Sequence, residues 1–165
     1  MAAVLGATYP DLYAAIGVHS GLPYRSAADL PSAFAAMRGD ATPPGRRSRE
    51  SRATDDNSPR IRTIVFHGDA DHIVHPSNAT SMVEAERSSE SVERAKARHA
   101  TRAHTRTVTR DKTGAVVIEQ WLVHGSGHAW SGGSSNGTYT DPQGPDASRE
   151  MLRFFFEKRP VALHD

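Results

Sequence analysis

Residues 115–133 read Ala115-Val-Val-Ile-Glu-Gln-Trp-Leu-Val-His-Gly-Ser-Gly-His-Ala-Trp-Ser-Gly-Gly133. The first part of this stretch is mostly apolar and predicts a β-strand, which ends in a loop of glycines and small residues. The loop holds His124, His128 and Trp130. Glycine lets the backbone turn sharply and lets other groups come close, and a histidine in such a loop is able to move protons near neutral pH. A lone histidine would more often be a solvated turn residue, so the assignment of a site depends on the rest of the chain.

Two further apolar runs also end in polar residues. Residues 61–66 lead into His67-Gly-Asp-Ala-Asp71, and residues 13–18 stop at His19-Ser-Gly21. Runs without polar alternation are typical of strands that are covered on both faces, as in a parallel sheet. Open α/β sheets place their sites at the carboxyl ends of such strands. We therefore predict an α/β fold that gathers carboxylates and histidines at one end of the sheet.

Four helices complete this prediction. Residues 1–9 predict a buried helix without a polar N-cap, as if the chain opened inside a helix. Residues 31–39 and 76–89 predict two more helices, and Asp146 is a suitable N-cap for a closing helix through Lys158. The residues expected to face the core are Ala33, Phe34, Ala36 and Met37 in the second helix, Met82, Val83 and Ala85 in the third, and Met151, Leu152, Phe155 and Phe154 in the last.

The remaining segments predict a hairpin and surface regions. Residues 101–109 and 115–123 are β-prone and flank a short turn with Asp and Gly, which favours a hairpin. Residues 40–60 are rich in Pro, Gly, Ser, Arg and Asp and predict a mobile surface loop. The charged residues 88–98 predict either an extension of the preceding helix or an exposed link. Because no internal repeat or linker is visible, residues 1–165 predict a single domain.

The composition excludes several classes of protein. The 165 residues carry a net charge of +1, from 20 Lys+Arg and 19 Asp+Glu, which gives no reason to expect a nucleic-acid partner or a membrane partner. No stretch approaches the length of a membrane span, and no signal peptide is visible in the sequence. The absence of cysteine excludes disulfides and thiolate metal sites. Composition leaves the oligomeric state open.

The order of the polar residues fits part of a Ser-His-Asp hydrolase. In such an enzyme a histidine takes a proton from a serine and a buried carboxylate orients the histidine, and α/β-hydrolases carry the three in the chain order serine, acid, histidine. Asp71 followed by His128 supplies the last two. Asp69 is a second candidate for the acid, because residues two apart on an extended backbone point to the same side. His124 directly follows the strand, where its ring would serve the loop backbone, and Ser20 lacks the G-x-S-x-G surroundings of an exposed nucleophile.

Two other interpretations compete with the catalytic one. The first is a metal site, because clusters of histidine and aspartate bind zinc or manganese. The cluster in question consists of His67, Asp69, Asp71, His72 and His75. Its histidines lack the spacing of a helical H-E-x-x-H, and the glycines between His124 and His128 disfavour a helix there, so we expect no metal and no cofactor. In the second interpretation His128 and Trp130 simply pack a loop.

Four stretches resemble the polyhydroxybutyrate depolymerase family of esterases. They are Met1-Ala-Ala-Val-Leu-Gly-Ala-Thr-Tyr-Pro-Asp-Leu-Tyr-Ala-Ala15, Val18-His-Ser-Gly-Leu-Pro-Tyr24, Phe66-His-Gly-Asp-Ala-Asp71 and Gly125-Ser-Gly-His-Ala-Trp-Ser-Gly-Gly133. Residues 139–149, which lead into the Phe-rich final helix, are similar too. The resemblance covers nearly the whole chain, although H-G-x-x-D alone is widespread among α/β-hydrolases. It implies a secreted serine esterase with an α/β-hydrolase fold that acts on polyesters or on aryl esters such as feruloyl esters.

The resemblance also implies roles for particular residues. It assigns Asp71 as the acid and His128 as the base, with Asp69 left to cap the turn after Gly68. We then expect Trp130 to form an aromatic wall against which an acyl or aryl group packs. The family's nucleophile elbow stands at the start of the helix inside which this chain opens, so the resemblance is to the C-terminal part of the domain, without the N-terminal strands and the elbow. We regard Gly132-Gly-Ser134 as the nearest counterpart, with Asn136 in place of the second glycine.

Two functions from different classes follow. In the first, the natural protein is longer and hydrolyses carboxylic esters with a serine upstream of Met1, and these 165 residues alone are inactive. In the second, the chain is a non-catalytic remnant or a binding module. An in-frame G-x-S-x-G in the gene just upstream of Met1 would favour the first, and a stop codon there the second.

Overall fold

The computed structural model describes residues 1–40, 61–86, 91–99 and 102–157. The surface loop predicted over residues 40–60 therefore lies outside the described residues, apart from Asp40, whose carboxylate accepts a hydrogen bond from Arg38 Nε at 3.1 Å. No helix within the described ranges is both long enough and apolar enough to span a lipid bilayer.

A five-stranded mixed sheet organises the fold. In spatial order its strands are β1 (Ala15–His19), β2 (Arg62–Gly68), β5 (Val116–Val123), β4 (Arg102–Arg110) and β3 (Ser91–His99). The neighbours β1 and β2 are parallel, and so are β2 and β5, whereas β4 runs antiparallel to both β5 and β3. Every residue of β2 is buried, and its centre, Ile64-Val-Phe66, is apolar on both faces, as expected of a strand that is covered on both sides. The parallel half of the sheet brings the carboxyl ends of three strands to one end of the molecule.

Helices cover both faces of the sheet. They are α1 (Ala2–Thr8), α2 (Leu30–Arg38), α3 (Ser77–Glu86) and α4 (Ala147–Phe156). On one face Val18 and Val65 share a core cluster with α3 and with residues of α1. On the other face Ile64 and Phe66 pack against α4. This three-layer arrangement confirms the α/β architecture that the sequence predicts.

The first helix is not buried as its apolar sequence predicts. Gly6 is the one buried residue of α1, and the side chain of Val4 is 43% exposed. Gly6 faces β1 so closely that a Cβ at this position would lie 3.0 Å from Ile16 Cγ2. The helix therefore contacts the sheet along a single narrow side.

The second helix ends at Gly39 as predicted, but it begins at Leu30 with Asp29 as an N-cap that was not predicted, and its buried face is smaller than expected. The Asp29 carboxylate accepts a hydrogen bond from Ser32 N–H at 2.9 Å, and Gly39 ends the helix in the left-handed conformation with φ of 81°. Of the four residues expected to face the core, Ala36 is fully buried whereas Phe34 is 51% exposed. In α3, Met82 and Val83 are buried as expected, and the side chain of Ala85 lies outside the described residues.

The closing helix is capped as predicted but buries a different face. Asp146 accepts from Arg149 N–H at 3.0 Å, and the helix packs Met151 and Phe154 into the core. The expectation for Leu152 and Phe155 is wrong, because they are 55% and 38% exposed. Positions 151 and 154 are three residues apart and share the face towards the sheet, whereas position 152 is turned about 100° away.

Residues 88–90 of the charged segment 88–98 lie outside the described residues, and the remainder is neither a helix nor a link. From Ser91 it is strand β3, which pairs antiparallel with β4 and forms an edge of the sheet. Its described side chains, from Val92 to Ala97, are exposed, and most of its residues are polar or charged, so no apolar run marks it as a strand. The predicted hairpin of β4 and β5 is confirmed, with Gly114 at φ of 84° in the turn.

A buried ion-pair cluster ties α4 to the sheet. Glu119 of β5 is fully buried and accepts hydrogen bonds from Arg106 Nε at 2.9 Å, Arg106 Nη2 at 2.8 Å and Trp121 Nε1 at 2.7 Å. The guanidinium of Arg153, on α4, donates to the same carboxylate. Burial alone would raise the pKa of Glu119, but the bonds from Arg106 and Arg153 outweigh burial and lower it. The carboxylate is ionised and fully paired, which is the condition for burying a charge without a large loss of stability.

Candidate functional site

The candidate site lies where β2 and β5 end side by side. The two strands are parallel in register, so that Gly68 lies opposite Val123. The turn after β2 is hydrogen-bonded to the end of β5 and to the loop that follows it. Asp69 N–H donates to Val123 O at 3.1 Å, and Ala70 N–H donates to Ser126 O at 3.0 Å. A Cβ on Gly68 would clash with the carbonyl oxygen of Ser126, so only glycine permits this approach. The glycine thus brings the histidine loop against the acidic turn.

Asp71 and His128, the two predicted catalytic residues, are in contact. His128 Nδ1 lies 2.8 Å from Asp71 Oδ2, although the two residues are 57 positions apart. The side chain of Asp71 is fully buried, and that of His128 is 36% exposed. The pair therefore joins a carboxylate inside the protein to an imidazole at its surface.

The geometry fixes which nitrogen of His128 carries the proton. An ionised carboxylate only accepts hydrogen bonds, so Nδ1 is the protonated nitrogen and the lone pair lies on Nε2. Among the described residues, Nε2 has no hydrogen-bond partner. A neutral imidazole in this tautomer is able to take a proton from a group that approaches from solvent.

Backbone amides hold Asp71 in its ionised form. Ile73 N–H and Val74 N–H both donate to Asp71 Oδ1 at 2.9 Å, while Oδ2 accepts from His128 and lies 3.4 Å from Nε2 of the buried His67. Burial by itself would raise the pKa of Asp71, but the bonds from Val74, His128 and Ile73 outweigh it and lower the pKa below its usual value. Asp71 is therefore a fixed negative charge behind the imidazole of His128.

A second pair of the same kind lies beside the first. Asp69 Oδ2 accepts from His124 Nδ1 at 2.7 Å, and Asp69 Oδ1 accepts from Gly125 N–H at 2.6 Å. Gly125 has a φ of 72°, a conformation that few other residues adopt. The expectation that Asp69 caps its own turn is wrong, because its carboxylate holds the turn that follows β5. His124 Nε2 lies 2.9 Å from Thr105 Oγ1, and this hydroxyl occupies the second ring nitrogen.

Trp130 lies on the same loop, with His19 beneath it. The Trp130 side chain is 38% exposed, its Nε1 donates to Ser148 Oγ at 3.1 Å, and its ring stacks on that of His19 with centroids 4.7 Å apart. The sequence marks His19 as the end of a strand but gives it no role, although sites collect at such strand ends. Trp130 is thus a supported, partly open aromatic surface, not a core residue.

The cluster considered for metal binding does not assemble. Within the described ranges, no group of three or more side chains of the metal-binding kinds could hold an ion. His67 is fully buried and its Nε2 donates to Val74 O at 2.8 Å, whereas His75 Nδ1 lies 2.8 Å from Ser77 Oγ at the surface. Burial lowers the pKa of His67, so this ring is neutral and serves the turn that carries Asp71.

The candidate serines stand in the wrong surroundings for a nucleophile elbow. Ser20 is 8% exposed, and its hydroxyl forms no hydrogen bond within the described part of the chain. The comparison with Gly132-Gly-Ser134 needs correction, because Gly133-Ser-Ser-Asn-Gly137, one residue further along, does match G-x-S-x-G. Ser135 in that match lies in an exposed turn between β6 (Trp130–Ser131) and β7 (Thr140–Asp141). A nucleophile elbow instead joins a strand to a helix.

Comparison with known proteins agrees with this architecture. The family described as Esterase PHB depolymerase matches residues 1–110, a range that includes Asp69 and Asp71 and ends before the histidine loop. The chain is 28% identical over 147 residues to poly(3-hydroxyalkanoate) depolymerase C of Paucimonas lemoignei. That alignment covers 86% of this chain and 33% of the relative, so the chain spans about one third of the relative's length. By the extent of the family match, the chain belongs to the esterase PHB depolymerase family.

Proposed function

We propose that this chain carries the acid and the base of a serine esterase that hydrolyses carboxylic ester bonds. The observation that supports this most strongly is the hydrogen bond between buried Asp71 and half-exposed His128. With Nδ1 engaged by Asp71, Nε2 of His128 has no hydrogen-bond partner among the described residues. His124, which holds the turn after β5, by contrast uses both of its ring nitrogens.

In the proposed reaction His128 accepts a proton and then donates it, once in each half of the catalytic cycle. Nε2 takes the proton of a serine hydroxyl while the serine oxygen attacks the ester carbonyl carbon. The imidazolium then gives this proton to the leaving alkoxide, so that the alcohol departs and an acyl-enzyme remains. Water then attacks the carbonyl carbon of the acyl-enzyme while Nε2 takes its proton. The imidazolium returns this proton to the serine oxygen, so that the carboxylic acid is released and the serine is restored. Asp71 keeps the ring in the required tautomer and stabilises the imidazolium, and no cofactor takes part.

We propose that the serine comes from a segment of the full-length protein outside these 165 residues. Ser20 is buried and Ser135 lies in an exposed turn, so neither has the surroundings of an elbow. The relative is about three times as long as the aligned region, which leaves room for such a segment. On this proposal the 165 residues alone are inactive, and the extracellular location implied by the family resemblance stays a prediction.

The substrate class follows from the family and from Trp130. A polyester such as the poly(3-hydroxyalkanoate) in the relative's name, or an aryl ester, presents an apolar group next to the carbonyl. The open face of Trp130, two residues after His128, is suited to pack against such a group.

The experiment uses the product of the full-length gene. We expect it to hydrolyse p-nitrophenyl esters and a suspension of short-chain polyhydroxyalkanoate, and to be labelled by a fluorophosphonate at one serine upstream of Met1. The label should be lost in His128→Ala, because the serine then lacks its base. A full-length protein that neither hydrolyses these esters nor reacts with the fluorophosphonate would favour the non-catalytic alternative.

A further inference from the structure

We propose that His19 is a positioning residue for the loop that carries His128 and Trp130: it accepts a hydrogen bond from the loop backbone and supports the Trp130 ring. The positioning itself is a property of the fold, and its catalytic consequence rests on the proposed function. His19 belongs to β1, whereas the loop follows β5, so the contact joins two parts of the chain that are more than one hundred residues apart.

The contact has two separable components. Ser131 N–H donates to His19 Nε2 at 2.9 Å, over a separation of 112 residues. The imidazole also lies between two aromatic rings, with its centroid 4.7 Å from that of Trp130 and 5.8 Å from that of Phe66. Phe66 is fully buried in β2, so the stack extends from the core of the sheet to the surface of the loop. His19 is the intermediate layer of this stack.

The hydrogen bond requires an unprotonated Nε2, and the surroundings favour that state. The ring accepts from a backbone N–H, so the proton of the neutral imidazole is on Nδ1. Burial and the neighbouring imidazoles of His67 and His128 lower the pKa of His19 from 6.5 to about 4, against the opposing effect of the Asp71 carboxylate. A protonated ring would direct an N–H at the N–H of Ser131 and add a positive charge beside His128.

The other hydrogen bonds of Trp130 and Ser131 within the described residues do not reach the five-stranded sheet, although Arg102 of β4 donates to the neighbouring Asp141 at 2.9 Å. Trp130 N–H donates to Tyr139 O at 2.8 Å, and Ser131 Oγ donates to Pro145 O at 2.6 Å. These partners belong to the segment that precedes α4, not to the five-stranded sheet. Nε2 of His19 is the partner that ties Ser131 to a strand of that sheet, three residues after His128. We infer that the orientation of both His128 and Trp130 depends on it.

Two substitutions separate the two components in the 165-residue chain. His19→Phe keeps an aromatic ring but removes the acceptor, and His19→Gln keeps an acceptor at a similar reach but removes the ring. We expect the protection of the Ser131 amide against hydrogen exchange to fall about tenfold in His19→Phe and to be largely kept in His19→Gln. The indole N–H resonance of Trp130 should shift most in His19→Gln. His72→Phe and His72→Gln, at an exposed histidine, are the matched controls.

The wild-type chain provides a test that needs no variant. As the pH falls, the His19 ring should titrate near pH 4, and the protection factor of Ser131 should fall with the same midpoint while that of Val65 in β2 is retained. A His19 ring that titrates near its ordinary value with no change at Ser131 would overturn the proposal. So would equal Ser131 protection in both His19 variants and in the wild type, or a simultaneous loss of protection at Val65.

The catalytic consequence is measured separately on the full-length protein. We expect His19→Phe to lower kcat for p-nitrophenyl esters about tenfold and to make kcat less dependent on pH between 4 and 6. If the full-length protein is not an esterase, the exchange and resonance measurements still decide whether His19 positions the loop. An unchanged kcat in a variant whose Ser131 amide has lost protection would overturn the link to catalysis.

Discussion

The two histidine–aspartate pairs of this protein have nearly the same contact and quite different surroundings. Asp69 with His124 and Asp71 with His128 are joined through Nδ1 at 2.7 and 2.8 Å. The acids are two residues apart after β2, and the histidines are four apart after β5. From the bond lengths alone, either pair would serve as the acid and base of a hydrolase.

Burial of the acid is the first difference. The side chain of Asp71 is fully buried, whereas that of Asp69 is 37% exposed. A charge in the interior is less screened by water and acts more strongly on its neighbour. Asp71 is therefore the carboxylate better placed to stabilise an imidazolium.

The use of the second ring nitrogen is the other difference. Nε2 of His124 is engaged by Thr105 Oγ1 at 2.9 Å, while Nε2 of His128 has no partner among the described residues. Both polar ends of His124 are used to hold the turn after β5. Of the two pairs, Asp71 with His128 is therefore the candidate for catalysis, because Nε2 of its histidine is left open.

The largest effect is expected from removing the open imidazole. In the full-length protein, His128→Ala should abolish ester hydrolysis, because loss of the histidine of a serine-protease triad costs roughly a millionfold in kcat. His124→Ala should retain turnover within about tenfold, since a lost neutral hydrogen bond is worth about 0.5–1.5 kcal/mol. Turnover of p-nitrophenyl esters and thermal unfolding of both variants give the answer. An active His128→Ala protein would remove the proposed mechanism.

Neutralising the acids should give the next largest effect. Asp71→Asn is expected to lower turnover by roughly ten-thousandfold, because the amide no longer fixes the tautomer of His128 or stabilises its charged form. Asp69→Asn should act mainly on stability, since it weakens the bonds to His124 and Gly125. If the two variants gave reversed results, the role of the acid would pass to Asp69.

A smaller effect is expected from removing the Thr105 hydroxyl, which is hydrogen-bonded to His124 Nε2. Thr105→Val removes the hydrogen bond to His124 Nε2 at little cost in shape. We expect the free energy of unfolding to fall by about 1 kcal/mol and turnover to change less than about threefold. Urea unfolding and ester kinetics on the same variant separate the two quantities. A loss of turnover as large as that in Asp71→Asn would mean that His124 takes part in the reaction.

The smallest expected effect is a pH dependence of the free energy of unfolding that comes from Asp71. The folded protein holds the pKa of Asp71 below its ordinary value of 3.8. The ionised carboxylate therefore contributes stability above about pH 4, and this contribution disappears as the pH falls through the lowered pKa. Urea unfolding of the 165-residue chain and of Asp71→Asn between pH 2 and 6 should show a difference that narrows on acidification. A difference that widens there would contradict the account.

Elements whose pattern is local were predicted correctly from the sequence. The apolar centre of β2, the β4–β5 hairpin and the Gly39 end of α2 are all encoded by neighbouring residues. The contact between Asp71 and His128 was also anticipated, because both residues follow strands that are parallel neighbours in the sheet. Their catalytic roles stay predictions.

Features that depend on distant partners were not predicted. Glu119 is buried in β5 because Arg106 and Arg153 approach it from another strand and from α4. The role of His19 was overlooked for the same reason, since its partner Ser131 lies 112 residues away. In each case the local sequence carries no signal of the contact. Strand β3 is a different case, because its partner β4 follows it directly in the sequence; it was missed because its described side chains, from Val92 to Ala97, are exposed and form no apolar run.

The most direct test compares how fast Nε2 of His128 and Nε2 of His124 react with a reagent that modifies histidine. Diethyl pyrocarbonate modifies an accessible, unprotonated imidazole nitrogen, and mass spectrometry resolves each histidine. At neutral pH we expect His128 to be modified at least tenfold faster than His124, because Thr105 engages Nε2 of His124. Esterase activity of the full-length protein should be lost in step with modification of His128. Faster modification of His124, or activity that survives complete modification of His128, would contradict the central claim that His128 is the open base.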